Sequence, residues 1–147
     1  MLNPTAMAEP TEYLVSVSVI LKGPELDPDQ VSTAIGISPT DSQRRGDKVL
    51  SESGLSATRK HGLWSLTLSR RTSSISEVVE EAVASIGSFE GSALDLPGVK
   101  NATLDIFAAV DSRDGRSDFD LTIRPEQVGV LARLGLSLSV TMASIPT

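Results

Sequence analysis

Strict alternation constrains this chain most: Tyr13, Val15, Val17, Val19 and Leu21 occupy every second position, with Ser16 and Ser18 between them. Successive side chains of a strand point to opposite faces, so the segment predicts a strand with one apolar and one polar face. Leu14 and Ile20 blur the polar side. The pattern returns in Leu63–Ser69, where Trp64, Leu66 and Leu68 alternate with Ser65, Thr67 and Ser69. It returns again at Ala102, Leu104, Ile106, Ala108 and Val110, at Phe119, Leu121 and Ile123, and at Leu136, Leu138, Val140 and Met142. One-sided alternation repeated this often favours a mainly antiparallel sheet, because parallel strands are covered on both faces and read as continuous apolar runs.

Three segments between the strands carry helix start and stop signals. Asp27-Pro28 supplies an N-cap and a proline at the first helical position, Val31, Ala34 and Ile35 form an inward stripe, and Gly36 can close the helix. Ser74-Ile75-Ser76-Glu77 reads as a capping box opening the longest helix, with Val78, Val79, Ala82, Val83 and Ile86 inward and Gly87 as its stop; Phe89 and Leu94 continue the packing. Pro125 starts a third helix with Val128, Leu131 and Leu134 inward and Gly135 at its end. Residues 28–38 and 125–137 thus echo one another, and shared start and stop residues explain the echo more simply than a duplication does.

Gly23-Pro24 ends the first strand, and Leu96-Pro97-Gly98 signals a turn. Residues 40–62 read as a polar loop with one short strand at 48–51. Phe119–Ile123 is expected to be the hairpin partner of Ala102–Val110, across a loop containing Asp114-Gly115. A chain of 147 residues fits one domain. The expectation is an α+β fold: a mainly antiparallel sheet of five to six strands, three helices mostly on one face, a disordered tail at 1–12 and one domain over 13–147.

Composition removes several chemistries. There is no Cys, which excludes disulfides, thiolate nucleophiles and thiolate metal sites, and a single His excludes any two-histidine metal motif within the chain. No cofactor is expected. A net charge of −6 disfavours binding to phosphate backbones, and 3% aromatic residues leave too few stacking platforms for single-stranded nucleic acid. No secretory signal pattern and no apolar run of membrane-spanning length is seen, so a cytoplasmic protein without membrane contact is expected. The charge is uneven: seven Lys/Arg stand against three Asp/Glu over residues 41–71, and three against ten over 72–120.

Leu26-Asp27-Pro28, Gly36-Ile37-Ser38-Pro39-Thr40, Arg45-Gly46-Asp47, Gly62-Leu63-Trp64 and Leu134-Gly135-Leu136, set among these strands, resemble the bacterial domain-of-unknown-function 4279 family over Tyr13 to Met142. The resemblance implies a small bacterial α+β protein and brings no activity or site residue with it.

The candidate site is therefore read from the residues alone. Arg44, Arg45, Lys48, Arg59, Lys60 and His61 lie in the predicted loop beside Trp64 and could gather around a phosphate or carboxylate, since guanidinium groups pair bidentately with such anions. A solvated connection explains them more economically. Arg45-Gly46-Asp47 reads as a turn in which Asp47 bonds nearby backbone, not as an adhesion signal. Asp105, Asp111, Asp114, Asp118 and Asp120 lack the order of a calcium loop and read as a charged hairpin, with no metal expected. His61 has no nucleophile elbow or phosphate loop beside it, so acid–base catalysis rests on that residue alone. The favoured expectation is a non-catalytic module binding another protein, of immunity or regulatory type. The alternatives are an anionic-ligand module using residues 44–61 and an enzyme using His61; the oligomeric state is left open.

Overall fold

The computed structural model describes residues 12–50, 52–111 and 118–145. In chain order these form β1 (Tyr13–Gly23), α1 (Pro28–Ile35), β2 (Asp41–Gln43), β3 (Lys48–Leu50), β4 (Ser56–Thr58), β5 (Gly62–Thr72) and α2 (Ile75–Gly87). A 3-10 turn (Ala93–Asp95), β6 (Asn101–Asp111), α3 (Pro125–Leu134) and β7 (Ser137–Ile145) follow. The main sheet has the order β2-β5-β1-β6-β7, and β3 pairs with β4 in a separate two-stranded sheet. Every pairing is antiparallel except β6 with β7. The α+β class, with a mainly antiparallel five-stranded sheet, is as expected.

The register explains why period-two alternation builds one core. Val17 lies opposite Leu68 and Ile106, and Leu21 opposite Trp64 and Ala102, so the apolar phases of β1, β5 and β6 share a face. That face meets Ile75, Val78, Val79, Ala82, Val83 and Ile86 of α2, Val31 of α1, and Leu131 and Leu134 of α3, all buried. Asp27 caps α1 by accepting from the Asp29 amide at 3.0 Å, and Ser74 caps α2 by accepting from the Glu77 amide at 3.3 Å. α1 and α3 both begin on proline, and glycines in the left-handed conformation, Gly36 and Gly135, close them. The same residues do the same local work in both copies of the echo, although β2 then joins β5 antiparallel and β7 joins β6 parallel.

The β1–α1 turn passes over the ends of β5 and β6 with almost no clearance. A Cβ on Gly62 would lie 2.0 Å from the Leu26 carbonyl oxygen, and one on Gly23 would lie 1.8 Å from that of Gly98. Gly23 and Gly62 are cross-strand partners, so one glycine junction seats buried Leu26 against the sheet end.

Residues 119–123 are not a strand, contrary to expectation. β7 takes the place beside β6, reached by a crossover through α3 of the length parallel strands require. Alternation reports an extended segment with one side inward; it does not report the neighbour. Phe119, Leu121 and Ile123 do pack against the core, and Tyr13 holds this segment through its hydroxyl, which donates to the Asp118 carbonyl at 2.8 Å, and through its ring, 5.6 Å from that of Phe119. Backbone groups there bond side chains: the Thr122 amide donates to Ser76 Oγ at 2.9 Å and the Arg124 amide to Gln127 Oε1 at 2.8 Å.

Other expectations also shift. The 40–62 loop holds three short strands, because the turn at 44–47 folds the polar segment back on itself and places β2 on the sheet edge. Ala34 and Val128 face solvent, since α1 and α3 bury narrower stripes than their sequences suggest, and Leu94, on the 3-10 turn, is exposed as well. Leu138, Val140 and Met142 share the core face with Leu104, Ile106 and Ala108, yet stand exposed at the uncovered edge. The expected tail at 1–12, apart from Glu12, and the loop with Asp114-Gly115 lie outside the described residues.

Candidate functional site

Residues 44–47 form a turn whose hydrogen bonds account for Arg45-Gly46-Asp47. The Arg44 amide donates to Asp47 Oδ2 at 2.8 Å, the Asp47 amide to the Arg44 carbonyl at 3.1 Å, and Gly46 adopts φ 93°. Gly46 and Arg59 then close the β3–β4 arm, with the Gly46 amide donating to the Arg59 carbonyl and the Arg59 amide to the Asp47 carbonyl, both at 2.8 Å.

This turn sends the two arginines away from the rest of the basic group. Arg44 Nη1 reaches Asp27 Oδ1 at 2.7 Å, and its Nη2 pairs with Asp29. Arg45 pairs with Glu25 at 2.5 Å. The positive excess of residues 41–71 is thus partly offset by carboxylates at the start of α1, which a count along the chain does not reveal. Trp64 is fully buried at the base of the core, and its indole donates to Ser32 Oγ at 3.0 Å. Lys48 is exposed on β3, opposite Thr58.

Arg59, Lys60 and His61 do come together. With Gln43, Val49, Ala57 and Thr58 they line an open groove of about 310 Å³. Among the described residues no carboxylate lines it, and Trp64 is not among its lining residues. Among the described residues no group of three or more His, Asp or Glu is placed to hold a metal ion. Asp105 is half-buried on β6 while Asp118 and Asp120 are exposed; Asp114 and the Asp111 side chain lie outside the described residues.

The opposite face of the sheet is a second candidate. The helices pack on the Val17 side, and the Ser16 side is open. Across it Ser16 Oγ meets Ser69 Oγ at 2.8 Å and Ser18 Oγ meets Thr67 Oγ1 at 2.7 Å, a hydroxyl ladder joining β1 to β5. Leu14 and Phe107 stand in this polar field, 39% and 38% exposed. Phe107 is the register partner of Ser16, so it is a diagonal neighbour of Leu14 across the strand pair. Together with Ser69 and Arg71 they line a shallow depression of about 330 Å³.

Sequence reading noted Leu14 as an irregularity and missed Phe107. The available signal was the same for both: a large apolar side chain in the polar phase of an alternating strand.

The family model described as Domain of unknown function (DUF4279) matches residues 11–144. No curated protein and no solved structure matches the chain. Among the described residues no helix is long and apolar enough to cross a membrane.

Proposed function

The chain belongs to the DUF4279 family, and from that premise we propose that it is a binding module that presents its helix-free sheet face to another protein. The observation that carries this reading is the Leu14–Phe107 pair. Two large apolar side chains stand exposed on a face that also carries two bonded pairs of serine and threonine hydroxyls, with Ile20 and Leu63 half-buried and the charged Arg71 and Asp105 beside them. A small apolar centre inside a polar rim is the usual layout of a protein interface, where a few buried anchors supply most of the affinity. The net charge of −6 favours encounter with a basic partner.

A photo-crosslinking amino acid at position 107, in cells of the native host, tests this. The expected result is a discrete adduct with another protein, abolished by Leu14→Asp and absent when the probe sits at exposed Val128. No adduct above the Val128 control, or an adduct only with a second copy of the chain, overturns it.

A second reading has its own observation: Arg59, Lys60 and His61 share the groove beside Gln43 and make no ion pair among the described residues. It would take a small phosphate or dicarboxylate. A ligand at a hundred times its dissociation constant adds about 2.7 kcal/mol of stability. A thermal-shift series with pyrophosphate, nucleotides and succinate is expected to raise the melting temperature, and Arg59→Ala to remove the rise. No rise with any of them ends this reading.

A further inference from the structure

The two edges of the main sheet are finished differently. β2 spans only Asp41–Gln43, begins on a carboxylate and is followed at once by the turn that carries Arg44 and Arg45. Brevity and charge are ordinary ways of keeping an edge from pairing. β7 has neither. It runs nine residues, Ser-Leu-Ser-Val-Thr-Met-Ala-Ser-Ile, with no charge, no proline and no glycine. It pairs with β6 on one side and, among the described residues, with no strand on the other. Leu138, Val140 and Met142 project along it at 47%, 43% and 38% exposure.

We propose that β7 pairs with β7 of a second copy, antiparallel, with Val140 on the two-fold axis, so that two five-stranded sheets join into one. The self-complementarity of the strand selects a second copy as the occupant. A two-fold contact requires that if residue i meets residue j, then j meets i. Centred on Val140, Leu138 meets Met142, Ser139 meets Thr141 and Ser137 meets Ala143, so apolar meets apolar on one face and small meets small on the other. A slip of one residue would set the helix-covered face of one sheet beside the open face of the other. A slip of two in one direction would set Leu138 opposite Ser144, and in the other would set Met142 opposite Leu136, which lies outside β7 and is buried.

Charge argues the same way. A molecule of net charge −6 repels its copy at long range, and Ser137–Ile145 is a long surface strand along which contact opposes no like charges. A charged partner would find nothing there to pair with. Pairing supplies main-chain hydrogen bonds along the edge and covers the apolar stripe at once. The contact runs along the free edge of β7, one strand away from Phe107, the register partner of Thr141, so the cysteine cross-links read the edge pairing and not the Leu14–Phe107 depression.

The absence of cysteine makes the register directly testable. Directly opposed residues of antiparallel strands have Cα atoms about 4.5–5.5 Å apart, within the span a disulfide bridges. Sedimentation equilibrium of the full chain is expected to show a concentration-dependent dimer. Mild oxidation is expected to convert Val140→Cys to a covalent dimer, whereas Leu138→Cys and Met142→Cys cross-link only when the two are mixed. Val140→Lys, which sets two ammonium groups face to face, is expected to sediment as a monomer, and an equimolar mixture with Val140→Glu to recover the dimer. A wild-type chain that stays monomeric into the upper micromolar range overturns the proposal, as does a dimer in which Val140→Cys fails to cross-link.

Discussion

The Trp64 indole donates to Ser32 Oγ at 3.0 Å, tying the start of β5 to the middle of α1 across thirty-two residues of chain. Trp64 is fully buried, so this bond spares its N–H the cost of being enclosed without a partner. Ser32→Ala removes the acceptor and leaves the indole enclosed. The expected loss of stability is about 1–3 kcal/mol. As Trp64 is the chain's single tryptophan, its fluorescence reports the change directly in urea titration. A variant with an unchanged midpoint would show that solvent reaches the indole.

Two glycines separate crowding from backbone preference. At Gly62 a methyl group would collide with the Leu26 carbonyl, which belongs to the main chain and cannot swing aside. Gly62→Ala is expected to cost about 1–3 kcal/mol or more, as overpacking of a rigid neighbour does. At Gly36 nothing lies within 4 Å and only the left-handed conformation, φ 80°, resists a side chain. Gly36→Ala is expected to cost about 1–2 kcal/mol. Thermal melts that rank Gly36→Ala as the worse of the two would contradict the glycine junction.

Asp27 serves two partners with one oxygen, capping α1 at the Asp29 amide and pairing with Arg44. The ion pair is open to solvent, the side chains being 47% and 34% exposed. Arg44→Ala is therefore expected to cost less than about 1 kcal/mol, and less still in molar salt. Asp27→Ala also removes the cap, worth about 1 kcal/mol, and should be the costlier change at any salt concentration. The reverse order in chemical denaturation would mean that the turn depends on Arg44 rather than the helix on Asp27.

Gln127 is buried at the first turn of α3 and accepts the Arg124 amide at 2.8 Å. Gln127→Leu keeps the bulk and strands the N–H. We expect a loss of about 1–3 kcal/mol and faster hydrogen exchange at the Arg124 and Thr122 amides, since both lie in the segment that side chains hold in place. Exchange that is unaltered there would show that the core contacts of Leu121 and Ile123 suffice.

Local chemistry was legible in the sequence. Asp27-Pro28 and Gly36, the Ser74 cap, and Pro125 with Gly135 bound their helices within one residue, because caps act through neighbouring atoms. The core-facing phases of β1, β5 and β6 were equally plain. Pairing was not. Phe119–Ile123 and Leu136–Met142 both alternate, and only the chain path through α3 decides which of them lies beside β6. The arginine cluster failed for a related reason: Arg44 and Arg45 are adjacent to Lys48 in sequence, but the 44–47 turn delivers them to Glu25, Asp27 and Asp29 on another element.

The central position of β1 bears on how the chain reaches this state. Both neighbours of β1 come later in the chain, the nearer beginning at Gly62 and the other at Asn101. As the polypeptide leaves the ribosome, its most water-averse ribbon emerges well before either companion exists. Zippering must then close large loops, which makes assembly slow relative to helical proteins of similar size. Throughout that interval Val15, Val17 and Val19 have no lawful place to go, and a chaperone that holds extended apolar segments would find its natural client there.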